Sequence, residues 1–127
     1  MMKISIVDDD NFYGSLIKER LNFEDHVSVI LHANAYRFFT DLDSKPDVAI
    51  IDCSLPDLNG VEVLSLLKQY YRGVFVIILS SDRGLKQTFN TQGYYPDVYI
   101  VKDENAVTNL MESLNIYSIN LIRNKSA

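Results

Sequence analysis

Five short apolar runs, each rich in valine or isoleucine, recur along this chain of 127 residues and alternate with stretches of helical spacing. Continuous apolar character, rather than alternation with polar residues, is typical of strands that are covered on both faces. The runs lie at residues 4–7, 27–31, 48–51, 74–79 and 98–101. Strands that alternate with helices in this way predict an α/β fold, a doubly wound five-stranded parallel sheet in a three-layer α/β/α sandwich.

The stretches between the runs carry five apolar stripes at helical spacing. We interpret Asn11 as the N-cap of the first helix. The fourth stripe, over residues 83–92, is the weakest. The stripes comprise Tyr13, Leu16, Ile17 and Leu21; Ala35, Phe38, Phe39 and Leu42; Val63, Leu64, Leu67 and Tyr71; Leu85 and Phe89; and Val107, Leu110, Met111, Leu114, Tyr117 and Leu121.

Composition and charge narrow the class of protein. No apolar stretch approaches the roughly 20 residues that cross a bilayer, and the N-terminus lacks a signal peptide's apolar segment, so we expect a cytoplasmic protein without membrane contact. The lone cysteine, Cys53, cannot form an internal disulfide, which agrees with a reducing compartment. A net charge of −5 disfavours nucleic-acid binding through this domain, because phosphate contacts need a basic face.

Acidic residues follow two of the apolar runs directly. Asp8, Asp9 and Asp10 come after the first run, and Asp52 comes after the third. Because ligand sites of an open parallel sheet lie at the carboxyl ends of its strands, we expect Asp8, Asp9 and Asp52 to meet at one edge. Clustered carboxylates repel each other, and a hard cation such as Mg²⁺ relieves that repulsion. The sequence therefore predicts a magnesium site.

Two further runs end in a hydroxyl and an amine. Ser80 follows the fourth run and Lys102 follows the fifth, so both are expected at the same edge as the acids. Phosphoryl transfer to a carboxylate needs a carboxylate nucleophile, a metal that bridges it to the incoming group, and donors for the equatorial oxygens. The combined set of residues predicts this chemistry.

The motifs in this order resemble the receiver domain of bacterial two-component response regulators over essentially the whole chain. They are Ile-Val-Asp-Asp-Asp at 6–10, Asp-Val-Ala-Ile-Ile-Asp-Cys-Ser-Leu-Pro-Asp-Leu-Asn-Gly at 47–60, Leu-Ser-Ser at 79–81 and Tyr-Ile-Val-Lys at 99–102. The resemblance implies the flavodoxin-like strand order 2-1-3-4-5. It also implies a signalling phosphoacceptor rather than an enzyme.

The resemblance assigns the acids by position. Asp52 would be the phosphorylated residue and a metal ligand. Asp9 would be the direct metal carboxylate, and Asp8 would be its partner through water. The carbonyl of Ser54 would be a third protein ligand of the Mg²⁺.

The resemblance also assigns the donors, the switch and the partners. Ser80 would bind one phosphoryl oxygen, and Lys102 would pair with another. Tyr99 matches the aromatic residue whose rotation reports the state of the hydroxyl residue. A sensor histidine kinase or a phosphotransfer protein would supply the phosphoryl group, and a downstream target or output domain would read it.

One residue departs from the family pattern. Asp103 stands where the family usually has a proline after a cis bond. Because a cis bond before a non-proline residue costs about 2.5–4 kcal/mol, we expect a trans bond between Lys102 and Asp103. We interpret Asp103 as the N-cap of the last helix.

Two alternatives remain open at this point. A small phosphatase of the haloacid dehalogenase type is suggested by Asp8-x-Asp10, with Ser80 and Lys102 imitating later motifs. It is disfavoured because the chain is short, has no acidic pair after Lys102, and leaves Asp52 without a role. The other alternative is a receiver-like interaction module that no longer takes phosphate, which only the missing proline suggests.

The end of the chain predicts a contact surface. We expect one receiver domain over residues 1–127, with 118–127 as a helical extension or a stem to an output domain. At about 3.6 residues per turn, the four apolar residues between 116 and 122 cannot all face one side. Exposed apolar ridges usually mark a contact, so this segment is predicted to form a homodimer or stem interface. The four residues are Ile116, Ile119, Leu121 and Ile122.

Overall fold

A computed structural model describes residues 2–22, 26–84, 87, 89 and 93–126 of the chain, with side chains to residue 118. Five strands form one parallel sheet in the order β2-β1-β3-β4-β5. This order confirms the predicted doubly wound, flavodoxin-like sheet. The strands are β1 (Met2–Val7), β2 (Val27–His32), β3 (Val48–Asp52), β4 (Phe75–Ser80) and β5 (Val98–Val101).

Helices connect the strands as the apolar stripes predict. Of the fourth predicted stripe, Leu85 lies outside the described residues, whereas Phe89 is helical and fully buried. The α-helices within the described residues are α1 (Asn11–Leu21), α2 (Ala35–Thr40), α3 (Gly60–Tyr70) and α4 (Ala106–Ser126), and a 3-10 helix spans Leu42–Ser44. Among the described residues, no helix is both long and apolar enough to cross a membrane.

The sheet separates two apolar clusters, which confirms the three-layer arrangement. On one face, side chains of α2 and α3, such as Phe38 and Leu64, pack against β-strand residues that include Ile51. On the other face, side chains of α1 and α4 pack against alternate strand residues, as Ile17 and Leu110 do. Each fully buried aliphatic side chain contributes about 1.5–3 kcal/mol to folding, so both helical layers are held mainly by this burial.

The register of the strands brings their carboxyl ends level. Val7 is paired with Ile51, so the residues that follow them, Asp8 and Asp52, lie at the same edge of the sheet. Asp52 is paired with Leu79, which places Ser80 one residue further along β4. This edge is where the sequence predicts the functional site.

The first helix starts differently from its prediction. Asp10, not Asn11, is the N-cap, because its Oδ1 accepts hydrogen bonds from the N–H groups of Phe12 and Tyr13 at 3.1 and 3.2 Å. The inward stripe also includes Gly14, whereas Leu16 is 44% exposed, contrary to its predicted position. Gly14 is buried on this face, and a Cβ there would meet Leu31 at 3.5 Å, which is an ordinary van der Waals contact.

Two other local predictions are wrong. Tyr71 does not extend the third stripe, because it follows α3 in a non-helical conformation and is 45% exposed. Asp103 is not the N-cap of α4, since the helix begins at Ala106 and Asp103 lies in the turn before it. There the Asp103 carboxylate accepts from the N–H of Asn105 at 2.9 Å. The bond between Lys102 and Asp103 is trans, as expected.

Candidate functional site

Asp8, Asp9 and Asp52 meet at the carboxyl edge of the sheet. Each of the three offers a carboxylate oxygen, and these oxygens lie within 4.8 Å of one another. Asp8 and Asp52 are buried, whereas Asp9 is exposed. Burial raises the pKa of Asp8, and the charge of Asp52 adds to this effect, although the N–H of Asp10 donates to Asp8 at 2.9 Å and opposes it. The predicted convergence of the acids is therefore present.

Lys102 lies between two of these acids. Its Nζ is 3.1 Å from Asp8 Oδ2 and 3.3 Å from Asp52 Oδ1. Burial alone would lower the pKa of Lys102, but its contacts with Asp8 and Asp52 outweigh burial and raise it. Lys102 thus stays charged and partly neutralises the buried pair, and aspartate in place of the usual proline at position 103 does not remove it from the edge.

Ser80 and Tyr99 form a small network beside the acids. Ser80 is buried at the end of β4, and its Oγ accepts from the N–H of Asp82 at 3.0 Å. The Tyr99 hydroxyl donates to the carbonyl of Asp82 at 3.1 Å. Burial raises the pKa of Tyr99, and a hydrogen bond with Ser80 opposes this rise. Ser80 and Tyr99 are therefore connected by hydrogen bonds to the backbone of the same residue, Asp82.

The acid cluster has the donor chemistry that a hard divalent cation requires. Mg²⁺ binds oxygen ligands, usually one or two carboxylates together with water. Asp8 and Asp52 supply two buried carboxylates whose mutual repulsion a cation would relieve, and Asp9 supplies a third that faces solvent. The residues therefore fit a metal of this kind.

Comparison with known proteins decides the family. The family model described as the response regulator receiver domain matches residues 4–115, which is most of the chain. The chain is a response regulator receiver domain. This confirms the resemblance read from the motifs, and it gives the protein a signalling role in a two-component system.

Relatives of this receiver domain agree with that assignment. The transcriptional regulatory protein CpxR of Escherichia coli K12 is 29% identical over 100 residues, which cover 76% of this chain and 43% of CpxR. The chain thus spans less than half the length of this curated relative.

Solved structures agree with the fold. The receiver domain protein (CheY-like) from Methanospirillum hungatei JF-1 has a TM-score of 0.84 at 24% identity, covering 98% of each chain. The response regulator TrrA from Thermotoga maritima, solved in complex with Mg²⁺ and BeF, has a TM-score of 0.79 at 23% identity. The match covers 91% of this chain and 97% of TrrA.

The remaining predicted site residue of the receiver domain is Ser54. It is exposed, lies two residues after Asp52, and forms an isolated antiparallel bridge with Asn59. Its backbone is therefore held close to the site by the loop between β3 and α3. The role of its carbonyl as a metal ligand stays a prediction.

Asp57 supports the site of the receiver domain but was missed in the sequence. Its carboxylate accepts from the N–H groups of Ala35 and Tyr36 at 3.0 and 2.8 Å, which ties the loop after β3 to the start of α2. Burial raises the pKa of Asp57, but the backbone hydrogen bonds that its carboxylate accepts together outweigh burial and lower the pKa. No local sequence pattern indicates this contact, because the partners lie more than 20 residues away.

Gly60 allows α3 to approach Cys53 closely, a role that the sequence did not predict. It begins α3, where Asn59 and Glu62 form a capping box. A Cβ on Gly60 would lie 2.6 Å from Cys53 Sγ and 3.0 Å from Cys53 Cα, so a larger residue would force Cys53 or the start of α3 to shift. Burial raises the pKa of Cys53 to about 11, which keeps the thiol neutral beside the acids. Cys53 is thus a small buried side chain.

Proposed function

We propose that this receiver domain accepts a phosphoryl group on Asp52 from the phosphohistidine of a sensor histidine kinase or a phosphotransfer protein. The observation that carries the proposal is the position of Lys102 Nζ between Asp8 and Asp52, at 3.1 and 3.3 Å. A carboxylate at a strand end, beside other acids and a fixed cation, has the arrangement that phosphoryl transfer to a carboxylate needs.

In the proposed step, an Asp52 carboxylate oxygen forms a bond to phosphorus as the bond between phosphorus and the histidine nitrogen breaks. The electron pair of that bond stays on the imidazole, which takes a proton from water. Lys102 pairs with one phosphoryl oxygen, and the Ser80 hydroxyl donates to another. Both lie at the same edge of the sheet as Asp52, so they are the donors able to meet the charge that spreads over these oxygens.

Mg²⁺ is the cation that we propose for the acid cluster. Asp9 and Asp52 would hold it directly, Asp8 through water, and Ser54 through its carbonyl. When bound, it would offset the charge of the acids and of the incoming phosphoryl group.

We also propose that Ser80 and Tyr99 transmit the phosphorylation. A phosphoryl group adds about −1.5 to −2 charge and new acceptor oxygens at Asp52. If Ser80 turns its hydroxyl toward them, its hydrogen bond with the N–H of Asp82 at 3.0 Å is lost. The Asp82 carbonyl is the acceptor of the Tyr99 hydroxyl, so the aromatic side chain responds to the same change. This supports a two-state shift around residues 80–102.

The wider role of the chain follows from the same proposal. Residues 1–127 would form one receiver domain, and residues 118–127 would serve as a stem to an output domain or as part of a homodimer interface. A downstream target or output domain would read the phosphorylated state, without nucleic-acid contact by this domain. A cytoplasmic location would place the buried thiol of Cys53 in a reducing compartment.

The test uses acetyl phosphate as the donor, with Mg²⁺, and intact mass as the readout. The wild type should gain one phosphoryl group, and Asp52→Asn and wild type in EDTA should gain none. Asp10→Asn is the matched control, because asparagine caps a helix as well as aspartate does. It should be phosphorylated like the wild type.

The outcomes separate the alternatives. The phosphatase alternative gives Asp10 a role in its nucleophile motif, whereas here Asp10 caps α1. A phosphoryl group found on Asp8 instead of Asp52 would favour the phosphatase. No label on the wild type would favour the interaction module that no longer takes phosphate.

A further inference from the structure

Lys102 has a third neighbour besides the two carboxylates. Its Nζ lies 4.5 Å from the centre of the Tyr13 ring, on the first turn of α1. An aromatic face attracts a cation through its negative quadrupole, and the attraction grows when the cation is partly removed from water. The Lys102 side chain is only 16% exposed, so this contact lies in a largely dehydrated place.

We propose that Tyr13 is a positioning residue, whose ring face holds the Lys102 ammonium at the phosphoacceptor site. The inference rests on the proposed function of Asp52 and adds to it a residue that is neither a proposed metal ligand nor a proposed donor to the phosphoryl group. It acts only through Lys102. The hydroxyl of Tyr13 has no part in this role, which makes the aromatic face the feature to test.

The Tyr13 ring holds Lys102 by an attraction that does not change when Asp8 and Asp52 react, unlike the two ion pairs. In the proposed reaction Asp8 faces the Mg²⁺ through water and Asp52 is phosphorylated. The net charge at both carboxylates therefore changes. An ion pair with either of them is therefore altered during the cycle. The attraction of Lys102 to the Tyr13 ring depends on neither carboxylate, so it keeps the ammonium in the pocket while its partners change.

The local sequence fixes the ring in this position. Asp10 caps α1 by accepting from the N–H of Phe12 and of Tyr13, which sets the first turn of the helix. The Tyr13 side chain is half-buried and packs against the apolar cluster beneath α1 and α4. Burial raises the pKa of Tyr13, so the ring that faces Lys102 is neutral. Phe12, on the same turn, is 80% exposed instead.

The experiment compares three variants in the acetyl phosphate assay with Mg²⁺. Tyr13→Leu keeps the apolar bulk and removes the ring, and it should lower the phosphorylation rate by roughly three- to tenfold. Tyr13→Phe keeps the ring and should react like the wild type. Phe12→Leu removes an aromatic side chain from the same turn and should also react like the wild type. Equal rates for Tyr13→Leu and the wild type would overturn the inference.

A second readout does not depend on phosphorylation. In the wild type, the ε-methylene protons of Lys102 should be shifted upfield by the Tyr13 ring in NMR spectra recorded without donor. The shift should persist in Tyr13→Phe and vanish in Tyr13→Leu. A wild-type spectrum without this shift would overturn the inference even if Tyr13→Leu fails to fold. A wild type that shows this shift but gains no phosphoryl group from acetyl phosphate would instead overturn the proposed function.

Discussion

Single side chains at the carboxyl edge are fixed by residues that are distant in sequence. Lys102 contacts Asp8 across 94 positions, and the two meet only because β1 and β5 end at the same edge of the sheet. Removing Lys102 would leave two buried acids without their cation. A charge left unpaired in a buried place is costly, so Lys102 stabilises the folded protein through this acid pair and also serves the proposed reaction.

Gly60→Ala should destabilise the fold by about 1–3 kcal/mol, because the new methyl group would overlap Cys53. Chemical unfolding monitored by circular dichroism measures the loss. Gly73→Ala is the matched control, since a Cβ on Gly73 meets nothing within 4 Å. Equal stability of the two variants would show that the contact between Gly60 and Cys53 is not tight.

Between elements, the loop after β3 is tied to α2 by the carboxylate of Asp57. The N–H groups of Ala35 and Tyr36 would otherwise have only water as partners at the start of the helix. Asp57→Asn should cost roughly 1 kcal/mol or less at about pH 7, because the contact is exposed and its charge is screened. Asp43→Asn, in the exposed 3-10 helix, should cost less.

The effect of Asp57→Asn should depend on pH with a definite sign. The hydrogen bonds lower the folded-state pKa of Asp57 below its ordinary value of 3.8. Its contribution is therefore complete above that value and is lost as the pH falls through the lower folded-state pKa. The midpoint temperatures of thermal unfolding of the wild type and of Asp57→Asn should converge at low pH. A difference that stays constant down to about pH 2 would contradict the role of the charge.

The segment from β4 to β5 is predicted to act as one switching element. Beryllofluoride with Mg²⁺, as a mimic of the phosphoryl group, should shift amide resonances across residues 80–102, because Ser80, Asp82 and Tyr99 are hydrogen-bonded together. Two-dimensional NMR with and without the mimic measures this. Shifts confined to the neighbours of Asp52 would contradict a two-state change.

For the molecule as a whole, the sequence predicted more of the sheet than of the helices. Buried strands are marked by continuous apolar runs, so all five were found, and the acids that follow two of them identified the site edge. The weaker predictions concern surfaces and ends. The buried face of α1 is formed by Gly14, Ile17 and Leu21, so Leu16 is exposed. Asp57 was missed because its partners belong to another element.

The outer surface of α4 carries the prediction for assembly. Ile116 is 59% exposed, so apolar surface does face outward there, whereas the side chains of Ile119, Leu121 and Ile122 lie outside those described. Ile116→Glu should weaken self-association measured by sedimentation equilibrium, because it places a charge in the proposed contact. Asn115→Glu adds the same charge at an exposed polar position and should have less effect. A wild type that is monomeric at every concentration would contradict a homodimer.

The identity of the phosphorylated residue tests the central claim most directly. After reaction with acetyl phosphate and Mg²⁺, borohydride reduces an aspartyl phosphate to homoserine, and peptide mass spectrometry then locates it. We expect homoserine at position 52 alone, because Asp52 is the acid that ends β3 beside Asp8 and Lys102. Homoserine at position 8, or at no position, would contradict it.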